Sequence, residues 1–267
     1  MLSGEQRLEF EERGILRLGG AVDARVAGEL REEVLAWVAA RGLAPGSPAP
    51  GFAVTPSRTA AVANAHGFAE IWGSGVIAAI EDLLGAGTWH LPKHAGQLLA
   101  MTYPRHGETW ELPCKSWHLD YRAPGALHGI PGCQLFLCVD RVESGAGGTL
   151  VAAGTPRIVD SIRRRRGPNW AGSSADVRGT LRREVPWFAD LCALRPGEDR
   201  IERFMRRSTD FAGGSLQVVE LTGEPGDVWL MHPWMLHDAA PNCGARPRLV
   251  LTERIRAKPR LDLELAQ

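Results

Sequence analysis

The sequence predicts a mainly β fold with flanking helices, built as an antiparallel sandwich or barrel, and three observations carry that prediction. Near residue 95, helical periodicity gives way to short β-type runs punctuated by Gly, Pro and Asp. No regular helical stretch separates each run from the next, which argues against a parallel doubly wound sheet. At 267 residues the chain is long enough for one domain with a sizeable core.

Residues 1–90 read as helical support. Ser3 is placed to cap a first helix, with Gln6 three positions on completing a capping box. The apolar run Ile15–Leu18 ends at two glycines. Asp23 then reads as the N-cap of a second helix, in which Val26, Leu30, Val34, Trp37 and Val38 recur at helical spacing and Gly42 supplies the stop. A Pro- and Gly-rich loop covers 44–51. A third helical pattern spans 68–85 on Ile71, Val76, Ile80, Leu83 and Leu84.

The expected strands are Gln97–Tyr103, Cys133–Val142, Thr149–Ala153, Leu216–Leu221, Asp227–Met231 and Leu249–Ile255. Between them, 156–214 reads as an insertion with a helix-like stretch from Arg200 to Arg207. Insertions of that kind lie over a barrel rim, where functional loops concentrate. The expected organisation is therefore a single domain over 1–267, with a β core over 95–256. The run Arg163–Arg166 within the insertion reads as a solvated helix end rather than an anion grip.

Composition narrows the class. Apolar residues make up 44% and charged residues 23%, the balance of an ordinary globular protein. Lys plus Arg and Asp plus Glu both total 31, so net charge points to no nucleic-acid or membrane-surface partner. Five cysteines, an odd number without a C-x-x-C pair, fit reduced thiols in a cytoplasmic protein. The N-terminal residues are polar and acidic, and no apolar run is long enough to span a bilayer. Nine Trp against two Tyr are expected chiefly in the core or lining a pocket.

The chemistry rests on histidines and acids. A strand projects residues i and i+2 from one face, so His-x-Asp sets an imidazole beside a carboxylate. Eight histidines and 31 acids in 267 positions yield about one such pair by chance, so context must decide. Two occur. His106-Gly107-Glu108 lies between prolines and reads as a polar loop. Ser116-Trp117-His118-Leu119-Asp120-Tyr121 alternates as a strand with two faces would. A facial triad needs a second histidine, and the candidates are His232 and His237. Eleven residues after His237, Arg248 opens a strand, where a buried guanidinium needs an anion. The alternatives for Arg248 are a salt bridge at the barrel end and a bidentate grip on a bound carboxylate.

Several segments together resemble the phytanoyl-CoA dioxygenase family of Fe(II)/2-oxoglutarate oxygenases. They are Trp117-His118-x-Asp120, Gln134–Asp140 leading to Gly147-Gly148-Thr149-Leu150, and Gly226-Asp227 through His232-Pro233, Leu236-His237 and Pro241-Asn242 to Pro247-Arg248. The resemblance covers roughly 95–256. It implies a double-stranded β-helix, a jelly-roll or cupin-like barrel, with iron held by His118, Asp120 and His237. It also implies Fe(II), 2-oxoglutarate and O2 as cofactors, Arg248 on the cosubstrate's distal carboxylate, and Gln134 and Phe136 facing the pocket. His232 is then expected to serve a turn, packed against Trp234. The expected partner is a small organic molecule whose C–H bond is oxidised. A non-catalytic metal-binding barrel and a zinc hydrolase on the same ligands are the alternatives, and nothing in the sequence sets the oligomeric state.

Overall fold

A computed structural model describes residues 1–40, 68–92, 98–105, 107–127 and 129–258. In chain order it contains α1 (Gly4–Arg13), β1 (Ile15–Leu18), α2 (Ala24–Ala39), α3 (Phe68–Ile71), α4 (Ser74–Leu84), β2 (Leu98–Thr102), β3 (Gly132–Cys138) and β4 (Thr149–Ala153). There follow α5 (Thr155–Arg166), α6 (Ser174–Glu184), α7 (Pro186–Leu191), a π-helical turn (Glu202–Arg206), β5 (Thr209–Phe211), β6 (Gly214–Leu221), β7 (Val228–Met231), β8 (His237–Ala239) and β9 (Arg248–Arg256).

The strands form two antiparallel sheets, a major one ordered β1-β7-β3-β9-β2 and a minor one ordered β5-β6-β4-β8. Strand alternation sorts their side chains into three layers. Odd residues of β3 and β9 (Cys133, Leu135, Leu137, Leu249, Leu251, Ile255) pack outward against Val26, Leu30, Val76 and Ile80 of the N-terminal helices. Even residues (Phe136, Cys138, Val250) meet Val151, Leu221, Met231 and Met235 between the sheets. The outer face of the minor sheet (Leu150, Ala152, Leu216, Val218) is covered by Val159, Ile162, Val177, Leu181 and Phe188 from α5, α6 and α7. Burial on both faces explains why β3 is apolar almost without interruption. This is the flanked jelly-roll core expected from the sequence.

Local chemistry sets the ends of the elements. Ser3 caps α1 through the expected capping box with Gln6, and Gly14 closes it in the left-handed region at φ 77°. The Asp23 carboxylate accepts from the backbone N–H of Arg25 at 2.7 Å, as an N-cap does. Gly42 and the loop 44–51 lie outside the described residues.

Two expectations need correction, and three strands go beyond those expected. The helical pattern over 68–85 is two helices, α3 and α4, broken where Gly73 takes extended backbone ahead of Ser74. The segment Ser116–Tyr121 is not a strand: His118 alone forms an isolated bridge, to His237. The apolar run Ile15–Leu18 is a strand of the major sheet, paired to β7. Two short strands, β5 and β8, carry too few residues for alternation to register.

Gly226 holds the turn into β7 at φ 91°, and a Cβ there would meet the Val22 carbonyl oxygen at 2.1 Å. Gly28, inside α2, has open space around it. Gly226→Ala is expected to destabilise by about 1–3 kcal/mol or more, and Gly28→Ala to stabilise by roughly 0.5–1 kcal/mol. Urea unfolding of the two variants checks both signs.

Candidate metal centre

His118 and His237 exchange both backbone hydrogen bonds, each N–H donating to the other's carbonyl at 3.0 Å. That bridge sets the imidazoles 4.3 Å apart between centroids. Each ring is then oriented from behind. Nδ1 of His118 lies 2.9 Å from the Ser116 carbonyl, and Nδ1 of His237 lies 3.0 Å from that of Met235. A carbonyl only accepts, so both Nδ1 atoms carry the proton and both Nε2 lone pairs face forward.

Asp120 completes the cluster. Its Oδ2 lies 3.6 Å from His237 Nε2 and its Oδ1 3.8 Å from His118 Nε2. One donor atom from each residue falls within 4.8 Å of the others. Burial pushes the Asp120 carboxyl upward, but its hydrogen-bonding and charged neighbours, the Arg254 guanidinium among them, outweigh that and hold it well below the usual carboxylate range. Burial lowers the pKa of His118. The result is a preformed set of two imidazole nitrogens and a carboxylate, the donor types of a facial triad.

Arg248 opens β9 on the same inward parity as Val250, and it is almost wholly buried. Its Nη1 donates to Thr149 Oγ1 at 3.2 Å, whereas its Nε has no hydrogen-bond partner. No carboxylate lies within ion-pair distance of it among the described residues, so the barrel-end salt bridge is not formed. Burial lowers its pKa to about 10, which leaves it cationic at neutral pH. Gln134 and Phe136 lie on the inner face of β3, as their spacing requires, and both are buried. Gln134 pairs in register with Arg254, and its Oε1 is unpartnered.

The family model for Phytanoyl-CoA dioxygenase (PhyH) matches residues 10–250. The chain belongs to the phytanoyl-CoA dioxygenase family. This family uses Fe(II), 2-oxoglutarate and O2, and the donor set described above is of the kind such a metal takes. Among solved structures, HygX from Streptomyces hygroscopicus, with nickel and 2-oxoglutarate bound, has a TM-score of 0.53 at 14% identity, over 97% of this chain and 88% of that one. The epimerase SnoN, in complex with Fe3+, alpha ketoglutarate and nogalamycin RO, has a TM-score of 0.52 at 14% identity, over 96% and 85%. EvdMO1 has a TM-score of 0.56 at 12% identity, over 96% of this chain and 50% of that one. Identities this low show a shared fold. No curated protein sequence matches the chain.

Other features that stood out in the sequence of this phytanoyl-CoA dioxygenase family member have different surroundings. The arginine run forms the last turn of α5, where cations meet the helix dipole. Arg164, Arg165 and Arg166 are half-exposed or exposed and pair with Asp160 or Glu184. Arg163 departs from the solvated reading. It is buried, bonded to Asp160 and the Leu127 carbonyl, with its guanidinium 4.5 Å from the Trp234 ring. His90 is exposed, while His66, His94, His106 and His128 lie outside the described residues. Among the described residues no helix is long and apolar enough to cross a membrane.

Sequence reasoning missed Arg254, whose Nη2 lies 2.9 Å from Asp120 Oδ1. The available signal was parity: Arg254 is an even residue of β9, like Arg248, and so shares its inward face.

His232 serves the turn before β8. Its ring lies 5.2 Å from Trp234 and 5.9 Å from Phe10, and its Nδ1 accepts from the Trp234 N–H at 3.1 Å. Burial lowers its pKa to about 3. The native state therefore excludes a proton that the unfolded chain binds below its ordinary value near 6.5. Stability conferred by neutral His232 is present above that value and is lost as pH falls toward 3. Between pH 6.5 and 4, wild type is expected to lose up to about 1.4 kcal/mol per pH unit more than His232→Phe. Urea unfolding across that range measures the difference, and parallel profiles would refute it.

Proposed function

We propose that this chain is an Fe(II)- and 2-oxoglutarate-dependent dioxygenase that oxidises, most simply by hydroxylation, a C–H bond of a small organic substrate. Its metal ligands on this reading are His118, Asp120 and His237, and its cosubstrate anchor is Arg248. The carrying observation is the state of Arg248: a buried cation with an unpartnered Nε and, among the described residues, no carboxylate within ion-pair distance. Burying such a charge is costly unless an anion meets it. The distal carboxylate of 2-oxoglutarate supplies that anion in a bidentate geometry that suits a guanidinium. A zinc hydrolase or a metal-storing barrel has no use for this group.

The residues divide the work. The backbone carbonyls of Ser116 and Met235 hold the two imidazoles in the tautomer that presents Nε2. Arg248 and Thr149 fix the far end of the cosubstrate. Thr102 Oγ1 and Gln134 Oε1, both buried without partners, offer further polar contacts along the barrel. Phe136, Val151, Met231 and Val250 keep the interior apolar and exclude water. With O2 and 2-oxoglutarate, the iron supplies a two-electron oxidant: R–H, 2-oxoglutarate and O2 give R–OH, succinate and CO2.

Replacing His118, Asp120 or His237 with Ala is expected to reduce iron content and succinate formation sharply, while His106→Ala leaves both near wild type. Equal losses at His106 would move the site to the other His-x-acid pair. Arg248→Ala is expected to bind iron normally and to raise the apparent 2-oxoglutarate constant by about two to three and a half decades, the equivalent of roughly 3–5 kcal/mol for breaking a buried charge pair. An unchanged constant would place the anchor elsewhere.

The outcome at the oxidised carbon is a separate matter, since one solved neighbour is described as an epimerase. On this reading Asp120 would take the coordination corner that a halide would need, and its charge would disfavour a second anion there. Products formed under 18O2 with chloride present are expected to carry one 18O atom and no chlorine. Loss of two hydrogens without oxygen would indicate desaturation or ring closure, and a chlorinated product would remove Asp120 from the ligand set.

A further inference from the structure

Asp120 presents both carboxylate oxygens to the histidines: Oδ2 is 3.6 Å from His237 Nε2, and Oδ1 is 3.8 Å from His118 Nε2. An Asp in that pose has two ways to hold a metal, through one oxygen or through both. The choice matters to an octahedral ion. One oxygen leaves three positions open for a bidentate cosubstrate and O2, whereas chelation leaves two.

We infer that Arg254 is a positioning residue that restricts Asp120 to one oxygen and so preserves the third open position. Its Nη2 lies 2.9 Å from Oδ1, and the pair is partly shielded, with Arg254 35% and Asp120 15% exposed. A charge-assisted hydrogen bond of that length draws electron density from Oδ1 and fills its approach. Oδ2 is left as the stronger donor beside His237. The guanidinium reaches the carboxylate because Arg254 sits on β9 opposite Gln134, well inside the major sheet. Its place is thus set by a strand ladder rather than by a loop. Partners behind a ligand commonly orient it, and here the partner also sets how many atoms the ligand gives.

The inference rests on the proposed metal site, and Mn(II) tests the two separately without any turnover. Water-proton relaxation by bound Mn(II) counts exchangeable inner-sphere waters. Wild type is expected to bind Mn(II) with three waters, and Arg254→Met with two, a fall of about one third in inner-sphere relaxivity. Arg254→Lys, which keeps a cation but loses the planar fork, is expected to fall between them. Mn(II) titration and thermal unfolding on the same samples show that the variants are folded and loaded. Wild-type relaxivity in Arg254→Met would overturn the inference and leave the metal site standing. A folded Arg254→Met that no longer binds Mn(II) would also overturn it, by making Arg254 a plain support for the ligand. Should that variant fail to fold, Arg254→Leu, which likewise lacks a donor for Oδ1, gives the same reading. Failure of the wild type to bind Mn(II) would overturn both the inference and the metal site.

Discussion

His118 and His237, far apart in sequence, exchange both their backbone hydrogen bonds, and this reciprocal pair joins the otherwise irregular segment around Asp120 to the minor sheet. From His237 the pairing continues into β4, where Val151 is its partner, and from β4 into β6. Position along this ladder decides which side chains meet between the sheets. A slip of one residue would turn His237 outward and bring the buried Asp238 to the interior in its place, because side chains alternate with a period of two. The two-residue offset from His118 to Asp120 then places the carboxylate against both rings without further help from regular structure.

The major sheet supplies the opposite wall and the positive charge. Arg248 and Arg254 project from one face of β9, with Val250 and Thr252 between them on the same face. Glu220 is near enough to influence Arg248 electrostatically, yet its oxygens accept from the Gly145 and Gly148 N–H groups and from Ser144. Its hydrogen-bonding capacity is met by loop donors, so it does not pair with the guanidinium. Burial raises its pKa despite those bonds. By contrast, arginines of the insertion are ion-paired at close range: Arg165 and Arg166 to Glu184, Arg163 and Arg164 to Asp160. The pairing leaves Arg248 as a conspicuous cation within the barrel.

Much of this was legible because it depends on local rules. Capping chemistry marked Ser3 and Asp23, and apolar runs with turn residues marked six strands within a residue or two at most ends, the exception being β3, which stops at Cys138 rather than Val142. The pair His118 and Asp120 was picked out by spacing together with the alternating residues around it, since spacing alone also fits His106 and Glu108. The reason given for it was wrong: the spacing works through one bridge residue, not through a strand. What escaped reading depends on contacts between distant segments. The three-residue β5 and β8 are strands only because β6 and β4 lie beside them. Arg163 lies buried under Trp234, although its neighbours in the same run are solvated. Arg254 looks like an ordinary basic residue near the end of a strand until Asp120 is folded against it.

The uncompensated Arg248 connects the stability of this fold to the chemistry proposed for it. A buried guanidinium with an unmet Nε works against folding, and the surrounding apolar layers must outweigh that cost in the ligand-free protein. On the proposed reading, 2-oxoglutarate removes the penalty when it binds, so it adds to the stability of the folded state as well as to turnover. The same logic separates the two arginines of β9. Arg254 already has its carboxylate in Asp120, whereas on the proposed reading Arg248 receives its counter-charge from the ligand. Both arginines have a buried Nε without a hydrogen-bond partner, so what distinguishes them is charge: Arg254 is ion-paired to Asp120 beside the candidate metal position, and Arg248 has no such pair among the described residues. On the proposed reading that asymmetry orients a dicarboxylate, with one end drawn to Arg248 and the other left facing the histidines.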